Sequence, residues 1–107
     1  MEGNLTIKME DIHEGDSNYC WVNIEIGGAR VGKVRLMRGY RRFIIKNINI
    51  FPEYERHDYA RQTVDLFKET ALEIIADRVR DTAKGFWEKM EFSDMGNGNY
   101  RWARRPG

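Results

Sequence analysis

Phe43-Ile44-Ile45-Lys46-Asn47-Ile48-Asn49-Ile50-Phe51-Pro52 is the stretch on which the reading of this sequence turns. Its apolar residues fall on both parities, interrupted by Lys46, Asn47 and Asn49. Such a run suits a strand covered on both faces. Pro52 ends it, because proline has no N–H to give to a ladder. Beyond the stop, Ala60, Val64, Phe67 and Ala71 fall on one helical face, and Asp58 is placed to cap that helix.

Working outward toward the N-terminus, Leu5, Ile7 and Met9 alternate with Thr6 and Lys8, the period of a half-buried strand. His13 to Asn18 is a polar connection. Cys20, Val22, Ile24 and Ile26 alternate with Trp21, Asn23 and Glu25 in a second strand. Gly27-Gly28 is a tight hairpin signal, and the chain returns through Val31 to Met37. Toward the C-terminus, Leu72 to Ala76 reads as a short strand. Ala83, Phe86 and Met90 line a second helix, with Asp77 or Asp81 as its cap; Gly85 weakens that helix by roughly 1 kcal/mol relative to alanine. Phe92 and then Tyr100 to Ala103 suit two short strands around the turn Asn97-Gly98-Asn99. The order is four strands, helix, strand, helix, two strands. It predicts an α/β, or more strictly α+β, fold with a mixed sheet of six to seven strands and two main helices.

The 107 residues, 41% hydrophobic and 33% charged, fit one globular domain spanning 1–107. No run of about 18 apolar residues is present, so no membrane-spanning helix is expected. Met1 to Asn4 lacks a signal-peptide pattern, and the single cysteine, Cys20, has no internal disulfide partner. Both features suit a cytoplasmic setting. Cys20 shares the parity of Val22 and Ile24 and reads as a core residue. His13, His57 and Cys20 have no zinc-ligand spacing, so no metal is expected. Net charge is +1. Even so, Arg30, Lys33, Arg35, Arg38, Arg41, Arg42 and Lys46 follow one another with no acidic residue between them. With Tyr40 and Phe43 among them, they form a basic-aromatic stretch of the kind that binds nucleic acid or an acidic protein.

Two segments resemble a known family. Ile48-Asn49-Ile50-Phe51-Pro52-Glu53-Tyr54-Glu55 is similar to the central strand of the GNAT-type acyl-CoA N-acyltransferases, which ends in Val-x-Pro-Glu-Tyr-Arg. About 30 residues on, Ala83-Lys84-Gly85-Phe86-Trp87-Glu88-Lys89-Met90-Glu91-Phe92 resembles the family's Ala-x-x-Phe-Tyr-Glu-Lys-Leu-Gly-Phe. The resemblance runs from about Ala29 to Trp102. Only about ten residues separate Met9 from Cys20, too few for the two helices that the family usually places between its first two strands. The acceptor side is then open or completed by another chain, and uncovered sheet edges invite pairing with a second copy as a homodimer.

The resemblance implies acetyl-CoA or another acyl-CoA as cofactor and an amine-bearing acceptor. It implies that backbone groups of Ile48 and Ile50 pair with the pantetheine amides. The family holds the cofactor pyrophosphate on an Arg-Gly-x-Gly-x-Gly/Ala turn at a helix N-terminus, where free N–H groups and the helix dipole attract anions. Here the turn is Glu55-Arg56-His57-Asp58-Tyr59-Ala60, so its glycines are replaced and two carboxylates are added. Arg56, His57, Tyr59 and Ala60 are the cofactor-binding candidates there. Arg80, which stands where the family has an asparagine, is another. Trp87 replaces the tyrosine that often protonates the leaving thiolate, and its indole N–H has no useful acidity. Tyr100 is the candidate substitute, beside Tyr54, Tyr59 and Ser93. A base is needed to take a proton from the amine, and Glu53 and Glu73, beside the expected cleft, are the candidates. The rival expectation is a non-catalytic module that uses its basic face.

Overall fold

The Gly27-Gly28 turn takes φ values of 54° and 86°, the left-handed backbone that glycine adopts without strain. It joins β2 (Cys20–Ile26) to β3 (Ala29–Gly39) in an antiparallel hairpin. The computed structural model describes residues 5–13 and 19–105, with side chains for 6–7 and 19–105. The N-terminal start and the polar connection at 14–18 lie outside the described residues. β1 (Leu5–His13) pairs with β2, and β4 (Arg42–Ile50) pairs with β3. A 3-10 turn at Pro52–Tyr54 leads to α1 (Tyr59–Thr70) and β5 (Glu73–Ala76). A second 3-10 turn (Asp81–Ala83), α2 (Lys84–Lys89), β6 (Ser93–Asp94) and β7 (Tyr100–Ala103) complete the chain. The sheet order is β1-β2-β3-β4-β5-β7-β6, with β4 and β5 parallel and the other pairs antiparallel. With β1 reaching His13, the interval before Cys20 is too short for two helices.

Strand parity sorts the side chains onto two faces. Val22, Ile24, Val34, Leu36, Ile45, Ile74, Ala76 and Tyr100 share one face and are buried. Both helices pack there. Val64 and Phe67 of α1 are buried, and the Phe67 ring lies 4.9 Å from Phe43. Trp87 of α2 sits against Phe92 at 4.8 Å. Lys68 Nζ donates to the Met90 carbonyl at 2.6 Å and so ties α1 to the end of α2. Burying each of these aliphatic or aromatic side chains stabilises the fold by about 1.5–3 kcal/mol.

The opposite face carries Trp21, Asn23, Lys33, Arg35, Ile44, Asn47, Asn49, Ile75 and Asp77. Among the described residues no helix covers it. The expectation that β4 is covered on both faces is therefore corrected: Lys46, Asn47 and Asn49 are exposed, and polar residues interrupt the run where one side faces outward. The capping expectations also change. Asp58 is the N-cap of α1 but makes no side-chain cap hydrogen bond. Asp77 ends β5 instead of opening a helix, and Asp81 pairs with Lys84 at 2.9 Å.

Candidate active site

Residues 42–45 of β4 pair with residues 73–76 of β5. Asp77 N donates to the Ile45 carbonyl at 2.8 Å, and there the ladder ends. No backbone hydrogen bond among the described residues joins 46–50 to β5, so the strands part. A bulge coincides with the parting. Arg35 pairs with Asn47 and Leu36 with Ile45, which leaves Lys46 as the extra residue. A bulge bends its strand and raises its twist, which carries the end of β4 away from β5. Gly32 on β3 lets β4 approach closely there, since a Cβ at Gly32 would lie 2.5 Å from the Asn49 carbonyl.

The gap is a cleft of about 450 Å³, lined by Ile48, Asp77, Arg80, Ala60, Phe86 and Trp87 among others. A second hollow of about 550 Å³ shares Ala60 and Phe86 with it. This one runs over the start of α1, past Ile50, Arg56, Asp58, Tyr59 and Arg61, to Lys89 of α2. The two adjoin at Ala60 and Phe86 and together reach from the strand gap to the helix N-terminus.

The turn into α1 takes left-handed backbone at two residues that are not glycine. Arg56 has φ 71° and Asp58 has φ 60°, at the two positions where the resembled turn carries glycine. A non-glycine residue held there costs about 1–2 kcal/mol. The Gln62 side chain, which donates to the His57 carbonyl at 3.1 Å, and the stacked rings of His57 and Tyr59 at 5.2 Å brace the loop. The first N–H groups of the helix have no intrahelical acceptor. Arg56, Arg61 and Lys89 line the hollow with them, against Glu55 and Asp58. Across the gap, the wall at 78–80 is held by the final turn: Arg78 N donates to Asn99 Oδ1 at 2.9 Å and Val79 N to the Gly98 carbonyl at 2.8 Å.

The structure brings Ile48, Ile50, Arg56, Tyr59, Ala60 and Arg80 to this path. His57 does not line it. Nor do the three expected catalytic residues. Glu53 is exposed on the 3-10 turn after β4. Glu73 lies at the far end of β5 from the cleft, paired with Arg42 at 2.7 Å and Arg101 at 2.5 Å. The hydrogen bond from Arg101, with the charges of both arginines, holds its carboxyl below the usual range. Tyr100 is buried, and its hydroxyl donates to Glu88 at 3.4 Å. Burial, with the charges of Asp94 and Glu88, pushes its phenol up.

Asp77 is the carboxylate that does line the cleft. The Tyr19 hydroxyl donates to its Oδ2 at 3.2 Å, and burial followed by the Asp77 charge pushes the Tyr19 phenol up, keeping it a donor. The one sequence signal for Asp77 is a carboxylate just past an apolar strand, on the parity of the uncovered face. The basic stretch does not form one face. Lys46 and Arg35 lie 5.1 and 5.6 Å over the Tyr19 ring on the open face, and Arg30 stacks on Phe51 at 5.6 Å. Arg38, Arg41 and Arg42 instead surround the β3–β4 turn, where Tyr40 is 92% exposed.

No family model matches the chain, and no curated protein sequence matches it. Solved structures do. The Bacillus subtilis N-acetyltransferase YlbP, solved with coenzyme A, is 16% identical, with TM-score 0.67 over 94% of this chain and 97% of that one. Another Bacillus subtilis acetyltransferase, also with CoA, is 12% identical, with TM-score 0.63 over 95% and 100%. A GNAT family acetyltransferase from Elizabethkingia anophelis with acetyl-CoA bound is 9% identical, with TM-score 0.60 over 94% and 99%. The chain has the GNAT fold. No helix of the described residues is long and apolar enough to cross a membrane.

Proposed function

We propose that this protein is an acyl-CoA-dependent N-acyltransferase that moves an acetyl or similar group to an amine. The observation that carries the reading is the pair of adjoining hollows that reach from the gap between β4 and β5 to the left-handed turn at Arg56 and Asp58. Past Ile45 the edge of β4 that faces β5 has no ladder partner among the described residues and offers amide groups to pantetheine, with Ile48 lining the cleft and Ile50 the hollow beyond it. The N-terminus of α1, with Arg56, Arg61 and Lys89 beside it, offers partners to a diphosphate. The solved neighbours hold CoA or acetyl-CoA. Calorimetric titration with acetyl-CoA tests the reading. Saturable micromolar binding is expected, and no binding at millimolar cofactor overturns it.

The exposed Tyr40 among Arg38, Arg41 and Arg42 favours a second reading, a module that binds nucleic acid at the β3–β4 turn. Its test is fluorescence anisotropy with a single-stranded oligonucleotide. Affinity that falls with salt and with Tyr40→Ala supports it, and no binding at low salt removes it.

A further inference from the structure

We propose that Asp77 is the general base of the transfer, held in place by Tyr19, and that the amine reaches it from the uncovered face of the sheet. The inference rests on the acyltransferase reading. Asp77 is the residue at which β5 leaves β4, since its N–H makes the last link to Ile45. Among the described residues that line the cleft it alone carries a carboxylate.

Its side chain has the parity of Glu73 and Ile75 and therefore the face away from α1 and α2. The hollow over the start of α1 opens on the helix side. A ligand lying along that hollow brings its reactive end to the gap from one side, and Asp77 meets it from the other. The gap between the strands is where the two sides communicate. An amine that came from the helix side would have to pass the cofactor; from the bare face it would not.

Tyr19 fixes the carboxylate. It precedes Cys20 on β2 and so shares the open face, and its hydroxyl donates to Oδ2. Oδ1 accepts no hydrogen bond among the described residues. Lys46 and Arg35 lie over the Tyr19 ring and hold it in place on the open face.

The step balances without a further reactant. Asp77 takes one proton from the amine. The nitrogen lone pair forms the C–N bond to the thioester carbonyl. The C–S bond breaks, its electron pair leaves on the CoA sulfur, and the thiolate takes a proton from water. Asp77 then returns its proton to solvent.

The test uses the whole chain and two readouts: calorimetry with acetyl-CoA, and thiol release from acetyl-CoA with spermidine, glucosamine and a lysine-containing peptide as amines. Asp77→Asn keeps an oxygen acceptor for Tyr19 but cannot take a proton. The expected result is unchanged cofactor affinity and melting temperature with a 10²- to 10⁴-fold lower kcat, the usual worth of a positioned base, about that range. Tyr19→Phe should lower kcat roughly three- to ten-fold, the size of one lost hydrogen bond, with the KM for acetyl-CoA unchanged. A kcat within two-fold of the native value in Asp77→Asn overturns the assignment while leaving the acyltransferase reading standing. So does cofactor binding by the native protein with no release to any of the amines. Absence of cofactor binding in the native protein refutes the acyltransferase reading itself, and this inference with it.

Discussion

Replacing Asp58 by asparagine should tighten cofactor binding while slightly weakening the fold. Asp58 is the N-cap of α1, held at φ 60°, and asparagine tolerates that backbone as well as aspartate does. The change therefore removes a charge and little else, because the carboxylate makes no capping hydrogen bond. Its one ion pair among the described residues, with Arg61 at 3.7 Å, is on a side chain that is 73% exposed. A diphosphate seated on the first N–H groups of α1 would bring about two negative charges to roughly 6 Å from that carboxylate. Each pair costs about 0.7 kcal/mol in a water-like dielectric, so removing both is worth about 1.4 kcal/mol, or about ten-fold in Kd at low salt. With a screening length of about 8 Å at 0.15 M salt, about three-fold remains. The lost charge at the positive helix end should lower stability by about 0.3–1 kcal/mol. Calorimetry of both proteins at two salt concentrations is the assay, with acetyl-pantetheine, which lacks the diphosphate, as the control ligand. An unchanged or weaker Kd for acetyl-CoA, or an equal gain for acetyl-pantetheine, refutes the placement of the diphosphate at this turn.

Other outcomes are also expected. Gly32→Ala should cost about 1–3 kcal/mol in denaturant unfolding, the usual range for overpacking, because its Cβ would lie 2.5 Å from a backbone oxygen of β4; a change below 0.5 kcal/mol contradicts the close approach. Glu73→Gln should leave transfer unchanged. Glu73's carboxyl is held below its ordinary range in the folded state, so its ion pairs stabilise the protein above the unfolded-state pKa. That contribution is lost as the pH falls through the lower folded value. Native and Glu73→Gln proteins should thus differ by about 0.2–1 kcal/mol at pH 7, as for partly exposed pairs, and converge in acid. Convergence at high pH instead would refute it. Trp87→Ala should destabilise by about 3–5 kcal/mol, since the ring is buried against Phe86 and Phe92. A melting temperature within a degree or two of native would show that the ring is not part of the core.

Local pattern was enough for most of the elements. The alternation in β2 and β3, the Gly27-Gly28 turn, the stop at Pro52 and the apolar face of α1 all depend on neighbours within a few positions, and each lies where its periodicity places it; β1 instead runs past Met9 and takes in His13, which the sequence pattern assigns to the polar connection. The order of elements and the two spaced segments around Pro52 and Phe86 led to the GNAT fold. Exposure of one face of β4 was harder to read. A run apolar on both parities does not say which side is covered when Asn47 and Asn49 interrupt it.

The site is another matter. Composition at 55–60 argues against an anion site, because the glycines are gone and carboxylates stand near. The backbone at Arg56 and Asp58 nevertheless keeps the left-handed turn, and packing around α1, Gln62 and His57 decides that. Glu73 and Asp77 are both carboxylates beside the same short strand, and only the pairing of β5 with β4 shows that one end is closed by arginines while the other opens. Tyr19 and Asp77 meet across 58 positions of chain, a contact with no trace in spacing. The sequence by itself therefore determined the elements, their order and hence the fold, because these follow from near-neighbour periodicity and turn chemistry. Only the tertiary structure decided where β4 and β5 part, which face stays bare and which carboxylate looks into the gap, because a one-residue bulge at Lys46 and the packing of distant strands set all three.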